Sequence, residues 1–343
     1  MRCRLAACSA LMCLLAGAAS AQWTWTPETG RFVRMDSLPK ETPELQVEYE
    51  RSLLVEGNYT KAWDETQKFD KFFGDSDFAD QNQFIRGEIR LKQEKYVDAA
   101  EEFQKVVTSH PGSPLYDDVI EKQYEIGDTL FDKGMRKTKG KTGGAMSHAP
   151  LSWIRAIQRR PFKKAIDVYT IVIENQPFTP EAAEAQFKIG KCHFAREKYL
   201  EAGFEYRRVI EDYPDSEWVQ EASFELTRAY EESSLDPDYD QAPSRLAIET
   251  IDEFKRRYPN DPRVEERTEV RQEMRESIAE QRYRSARFYE RRRDLDAARI
   301  YFEITAYEFA GTKASEKALE WLDANQAEPD LQSAFLGSSV RKP

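Results

Sequence analysis

The sequence predicts an all-α protein, an array of about five to six helical hairpins closed by a capping helix and without a sheet, on three observations. The composition favours helix: among 343 residues only 15 are Gly and 16 are Pro, beside many Glu, Ala, Arg, Leu and Gln. A short block ending in alanine recurs along the chain, and four of those alanines, Ala99, Ala165, Ala202 and Ala247, are followed twelve residues later by a proline. Between alanine and proline, apolar residues recur at i, i+3, i+4 and i+7, the period of a helix with one buried face. The same composition excludes other classes. A charged fraction of 33% rules out a multi-span membrane protein, and 12% aromatic residues rule out an intrinsically disordered chain. A net charge of -11 leaves no basic footprint for nucleic acid.

The elements follow in chain order. Met1-Arg2-Cys3-Arg4, an apolar stretch from Leu5 to Ala18, and Ala19-Ser20-Ala21 have the layout of an export signal over residues 1–21, cut between Ala21 and Gln22. The Leu5-Ala6-Ala7-Cys8 block has no apolar run before it, and Leu11-Met12 are bulky beside Cys13. A mature, unacylated chain starting at Gln22 is therefore expected. Removing the signal leaves Cys192 as the one cysteine, so no internal disulfide is available and the core must hold the fold. Residues 22–44 form an aromatic arm that opens Trp23-Thr24-Trp25-Thr26-Pro27. Trp23 and Trp25 are candidates either to pack on the first repeat or to dock another protein.

The repeat array is expected over residues 45–325. Its aligned alanines are Ala62, Ala99, Ala165, Ala202, Ala247 and Ala298, with spacings of 37, 66, 37, 45 and 51. A unit of about 34 residues with small insertions, one of them large, fits this series and the helix–turn–helix layout of a tetratricopeptide-repeat (TPR) superhelix. A small alanine early in the second helix lets paired helices approach, aromatics fill the gap, and proline ends the unit. The first helices of the pairs are read over 45–57, 80–93, 116–131, 181–197, 217–233 and 263–293. The last of these has no breaker for about thirty residues, far above the mean helix length, and should support its neighbours. A helix over 313–325 caps the stack, and residues 326–343 read as a disordered tail.

Residues 133–160 interrupt the pattern as the large insertion. The basic, Gly-rich run from Gly134 to Gly144 reads as a loop, followed by an amphipathic turn around Leu151, Trp153, Ile154 and Ile157. Two readings stand: a mobile loop whose Trp153 folds back on the array, and a surface on which Trp153 and Arg155 meet anionic lipid or an acidic partner.

No residue constellation for catalysis stands out. Gly140-Lys141-Thr142 lacks the glycine spacing and preceding strand of a phosphate-binding loop. Asp236, Asp238 and Asp240 open like a calcium loop, but Gln241 stands where Gly is needed and Ala247 where a bidentate Glu is needed. His110, His148 and His193 share no metal-ligand spacing. Cys192 beside His193 is read as a buried structural thiol, because adjacent helical residues point apart. No enzyme activity, cofactor or metal is expected.

Towards the C-terminus the motifs become more specific. Asp238-Tyr239-Asp240-Gln241-Ala242-Pro243, Arg257-Tyr258-Pro259 and Ser285-Ala286-Arg287-Phe288-Tyr289-Glu290-Arg291-Arg292 follow in order. Ala297-Ala298-Arg299-Ile300-Tyr301-Phe302 continues the pattern, and Tyr213-Pro214-Asp215-Ser216 precedes it. Over about residues 182–320 the chain resembles the BamD family, also called ComL- or YfiO-like, of outer-membrane β-barrel assembly lipoproteins. The resemblance implies a periplasmic TPR adaptor without catalysis, peripherally associated with the outer membrane. Its N-terminal repeats would receive extended segments of unfolded barrel proteins, and its C-terminal repeats would bind other β-barrel assembly subunits. The alternative is a periplasmic TPR coordinator of cell-wall synthesis and envelope constriction. Proteins of that kind carry a coiled coil ahead of their repeats, and no sustained heptads occur before Glu44.

Overall fold

A computed structural model describes residues 23–26, 31–34, 37–139, 151–234, 236–237 and 239–325. The expected cleavage site at Ala21 and Gln22, the Gly-rich stretch over 140–150 and the tail over 326–343 lie outside the described residues. The chain divides into two compact units, Met1–Ile126 and Gly127–Pro343.

The first unit opens with a small sheet, which corrects the expectation of none. Strands β1 (Trp23–Thr26) and β2 (Arg31–Arg34) pair antiparallel, with Trp25 opposite Phe32 and Trp23 opposite Arg34. The cause is local. Trp-Thr-Trp-Thr alternates with period two and Arg-Phe-Val-Arg is centred on Phe32 and Val33, residues that favour strands, either side of a short link containing Pro27 and Gly30. Helices α1 (Pro43–Val55), α2 (Tyr59–Phe73), α3 (Ala79–Lys92), α4 (Tyr96–Ser109) and the start of α5 (Tyr116–Lys139) follow. Val47 and Leu53 of α1, Ala62 and Phe69 of α2, and Ile85 and Ile89 of α3 form one buried cluster.

The second unit holds the rest of α5, then α6 (Leu151–Asn175), α7 (Pro180–Ala195), α8 (Tyr199–Asp212), α9 (Trp218–Ser233) and α10 (Ala242–Arg257). It ends with α11 (Val264–Arg291), α12 (Leu295–Glu308) and α13 (Lys313–Ala324). Among the described residues the two units hold six hairpins and a capping helix, the TPR arrangement. All six aligned alanines, from Ala62 to Ala298, are fully buried at contacts between paired helices. Cys192 is likewise buried and unbridged, and burial pushes its thiol well above the ordinary range.

Local chemistry sets the helix ends. Thr42, Asn58, Thr179, Asp294 and Thr312 cap α1, α2, α7, α12 and α13 by accepting a hydrogen bond from the backbone N–H three residues on. In four of the six hairpins the turn between the paired helices places one residue in the left-handed region, five before the aligned alanine. That residue is Gly57 in the first hairpin but Glu94, Glu197 and Arg293 in three others.

The described residues of the insertion, 133–139 and 151–160, are helical where a loop and turn were expected. α5 runs on to Lys139, and α6 starts ten residues before Pro161, which therefore lies inside a helix. Gly134 serves close packing, not a turn. A Cβ there would come within 2.6 Å of the Phe162 ring, so only glycine lets α5 and α6 approach this closely. Gly190 against Tyr206 repeats the arrangement between α7 and α8. The long helix α11 fulfils its expectation: it packs against α9, α10, α12 and α13.

Candidate interaction surfaces

Polar bonds recur inside the hairpins with fixed spacing. The Nε2 of Gln46 donates to the backbone carbonyl of Glu65 at 3.3 Å and to its carboxylate at 3.1 Å. Gln83 makes the same two bonds to Glu102 and Gln186 the same two to Glu205, each pair nineteen residues apart. These bonds satisfy buried polar atoms between paired helices and leave the outer faces available to partners.

In the first unit the most distinctive surface is a depression of about 380 Å³ beside α1 and α2. The Nζ of Lys40 sits 3.9 Å from the centre of the Tyr49 ring, and that of Lys61 sits 5.3 Å from it. A hydrogen bond with the Tyr49 phenol raises the Lys61 pKa further, so the ammonium is fully charged at neutral pH. Lys68 also lines the depression, paired with Glu65 at 2.7 Å. Lysines around one aromatic face can hold an anionic group and a ring together. Behind this surface lies Glu50, fully buried on α1. One of its oxygens accepts from Gln46 at 3.2 Å, while the other has no partner, and burial raises its pKa to about 8.

In the second unit the C-terminal motifs acquire physical roles. Gln241 is buried in the link between α9 and α10; its Nε2 donates to the carbonyls of Asp236 and Tyr239, and its Oε1 accepts from Ser244 and from Ser277 on α11. Asp240 accepts from the Ala242 N–H at 3.0 Å. The acidic run thus belongs to a turn stitched by Gln241, in the place where a calcium loop would need Gly. Ala286 is buried under α12, Tyr289 stacks on Tyr301 with ring centres 5.2 Å apart, and Arg292 lies over the exposed Phe288. Arg284, Phe288, Tyr289 and Tyr301 line an open depression of about 380 Å³.

The residues singled out from sequence fall on two separate elements, the arm of the first unit and α6 of the second. Trp25 is 53% exposed opposite Phe32, itself 67% exposed, so much of both rings faces solvent. Trp23 lies on β1 opposite Arg34. Trp153 and Arg155 fall in the first turns of α6. The Lys40–Tyr49–Lys61 grouping was missed, because the residues are far apart in sequence and meet only when α1 folds against α2. The Gln–Glu bonds had a signal: Gln46, Gln83 and Gln186 each stand sixteen residues before an aligned alanine.

Among the described residues no helix is long and apolar enough to cross a membrane, and no group of His, Cys, Asp or Glu has the arrangement of a metal site. The family described as YfiO, outer membrane lipoprotein, matches residues 152–334, just over half of the chain. No curated protein matches the chain significantly. Among solved structures, the C-terminal part of a TPR repeat-containing protein from Cytophaga hutchinsonii shares 14% identity. It covers 82% of this chain and 88% of its own, with a TM-score of 0.33. A thermophilic TPR protein from Thermus thermophilus shares 10% identity over 67% of this chain and 98% of its own, with a TM-score of 0.31. A tetratricopeptide repeat protein from Parabacteroides merdae shares 12% over 83% and 99%, also at 0.31.

Proposed function

The chain belongs to the YfiO family of outer membrane lipoproteins, and from that premise we propose that it is a non-catalytic periplasmic adaptor of outer-membrane β-barrel assembly. Its first unit takes extended segments of unfolded barrel proteins, and its second unit holds other assembly subunits. The observation that carries client binding is the face of Tyr49 with Lys40 and Lys61 beside it. A segment ending in an aromatic residue offers a ring and a carboxylate together, and this face offers a partner for each. The exposed Trp25 and Phe32 on the arm, and Trp153 and Arg155 on α6, are further proposed contacts for protein partners.

The test is titration of the full chain with a peptide ending in phenylalanine with a free carboxylate, beside its amidated and scrambled forms. The free-acid peptide should bind best, and Lys40→Ala with Lys61→Ala should weaken it by about tenfold while leaving helicity unchanged. Equal binding of all three peptides, or a double variant that binds as tightly as the parent, would refute the client site.

A further inference from the structure

The second unit carries a pocket that the adaptor reading does not use. It lies where the link between α6 and α7 meets the link between α8 and α9, and encloses about 430 Å³. Its floor is Ala183 and the half-buried ring of Trp218, which stacks on the buried Phe187 with ring centres 5.0 Å apart and planes 25° apart. Phe187 packs in turn on Tyr206 in the core, so the floor is held rigidly from beneath. The walls are Phe178 and Pro180 on one side and Tyr213 and Pro214 on the other.

Phe178 is 94% exposed, the most exposed large apolar side chain among the described residues. It stands in a short link between Pro177 and Pro180, whose fixed φ angles restrict the backbone beside it. An aromatic ring held in water by a stiffened link is arranged in advance for contact with a partner. The charged residues that line the pocket, Asp212, Asp215 and Glu217, are all carboxylates. Asp212 has Arg208 at 3.5 Å, while among the described residues Asp215 and Glu217 carry no ion pair. An apolar floor with an acidic rim complements a bulky apolar side chain flanked by cations.

We propose that this pocket docks a partner protein through an extended segment in which one aromatic or large aliphatic side chain lies next to Lys or Arg. The ring enters between Phe178 and Tyr213 and rests on Trp218, and the cations meet Asp215 and Glu217. The site is independent of whatever the first unit binds.

Isothermal titration of the full chain tests this with capped peptides centred on Lys-Phe-Arg, Glu-Phe-Glu and Lys-Ala-Arg. Only Lys-Phe-Arg should bind well, and more weakly as salt rises. Phe178→Ala, and separately Asp215→Lys with Glu217→Lys, should each weaken it by about tenfold. All three residues are exposed, so the variants keep the fold, which circular dichroism verifies. The proposal is overturned if Lys-Phe-Arg does not bind, if Glu-Phe-Glu binds equally well, or if neither variant changes the affinity. Self-association lost in Phe178→Ala would also overturn it, by giving the pocket to a second copy of this chain.

Discussion

Gln83 on α3 holds Glu102 on α4 by two hydrogen bonds of 2.8 Å from one nitrogen, to its backbone carbonyl and its carboxylate. Burial alone would raise the Glu102 pKa, but hydrogen bonds from Gln83 and Lys105, with the charge of Arg86, outweigh it and the pKa falls below its ordinary value. A depressed carboxylate stabilises the fold above its unfolded pKa and loses that contribution as pH falls through the folded one. Gln83→Leu should therefore cost about 1–2 kcal/mol at neutral pH. The cost should shrink as pH falls from the ordinary carboxylate range through the lowered folded pKa, below which Glu102 is protonated in both the folded and unfolded states. Urea denaturation of both proteins at several pH values checks this.

Glu50 behaves in the opposite sense. Its folded pKa of about 8 lies above the ordinary 4.5, so the folded state binds the proton more tightly and stability falls as pH rises between those values. Glu50→Gln keeps the hydrogen bond with Gln46 and removes the titration. It should leave stability near pH 4 almost unchanged and raise it at pH 8 by an amount on the order of 1–3 kcal/mol. A variant whose melting temperature fell with pH as steeply as the parent's would contradict this.

Arg293 adopts a φ of 61° in the turn before α12, the position that Gly57 occupies in the first hairpin. Glycine has no Cβ to strain there. Arg293→Gly should stabilise the protein by about 0.5–1 kcal/mol, the reverse of the usual cost of glycine. Chemical denaturation gives the sign directly.

Ala202 is fully buried among Phe187, Tyr206, Ala222 and Tyr230. Ala202→Trp should overpack this contact and cost about 1–3 kcal/mol. A calorimetric melting temperature equal to the parent's would show that the helices can spread apart there.

The helical hairpins were legible because each repeats one local rule. Alanine sits where helices touch, an amphipathic run follows, and a breaker ends it, as from Ala202 to Pro214. The insertion misled because Gly134 and Pro161 are usually punctuation. Gly134 is small for the sake of Phe162, and that requirement exists only once α5 and α6 meet. The arm was legible in its alternation, Trp23-Thr24-Trp25-Thr26, yet its pairing with Phe32 depends on a return strand of four residues. The surfaces were the least legible. Tyr49 with Lys40 and Lys61, and Phe178 with Trp218, are joined by folding and not by spacing, although an aromatic residue among prolines at 177–180 was a visible clue.

Helix α11 is 28 residues long and touches α9, α10, α12 and α13. In an ordinary repeat array each unit feels only its neighbours, so the end can fray one hairpin at a time. A single rod bonded at Ser277 to the α9–α10 link, and at Glu276 to the backbone N–H groups that start α13, removes that freedom. Amide hydrogens from α9 to α13 should then exchange with solvent at one shared opening free energy, so that this end of the protein melts as a block.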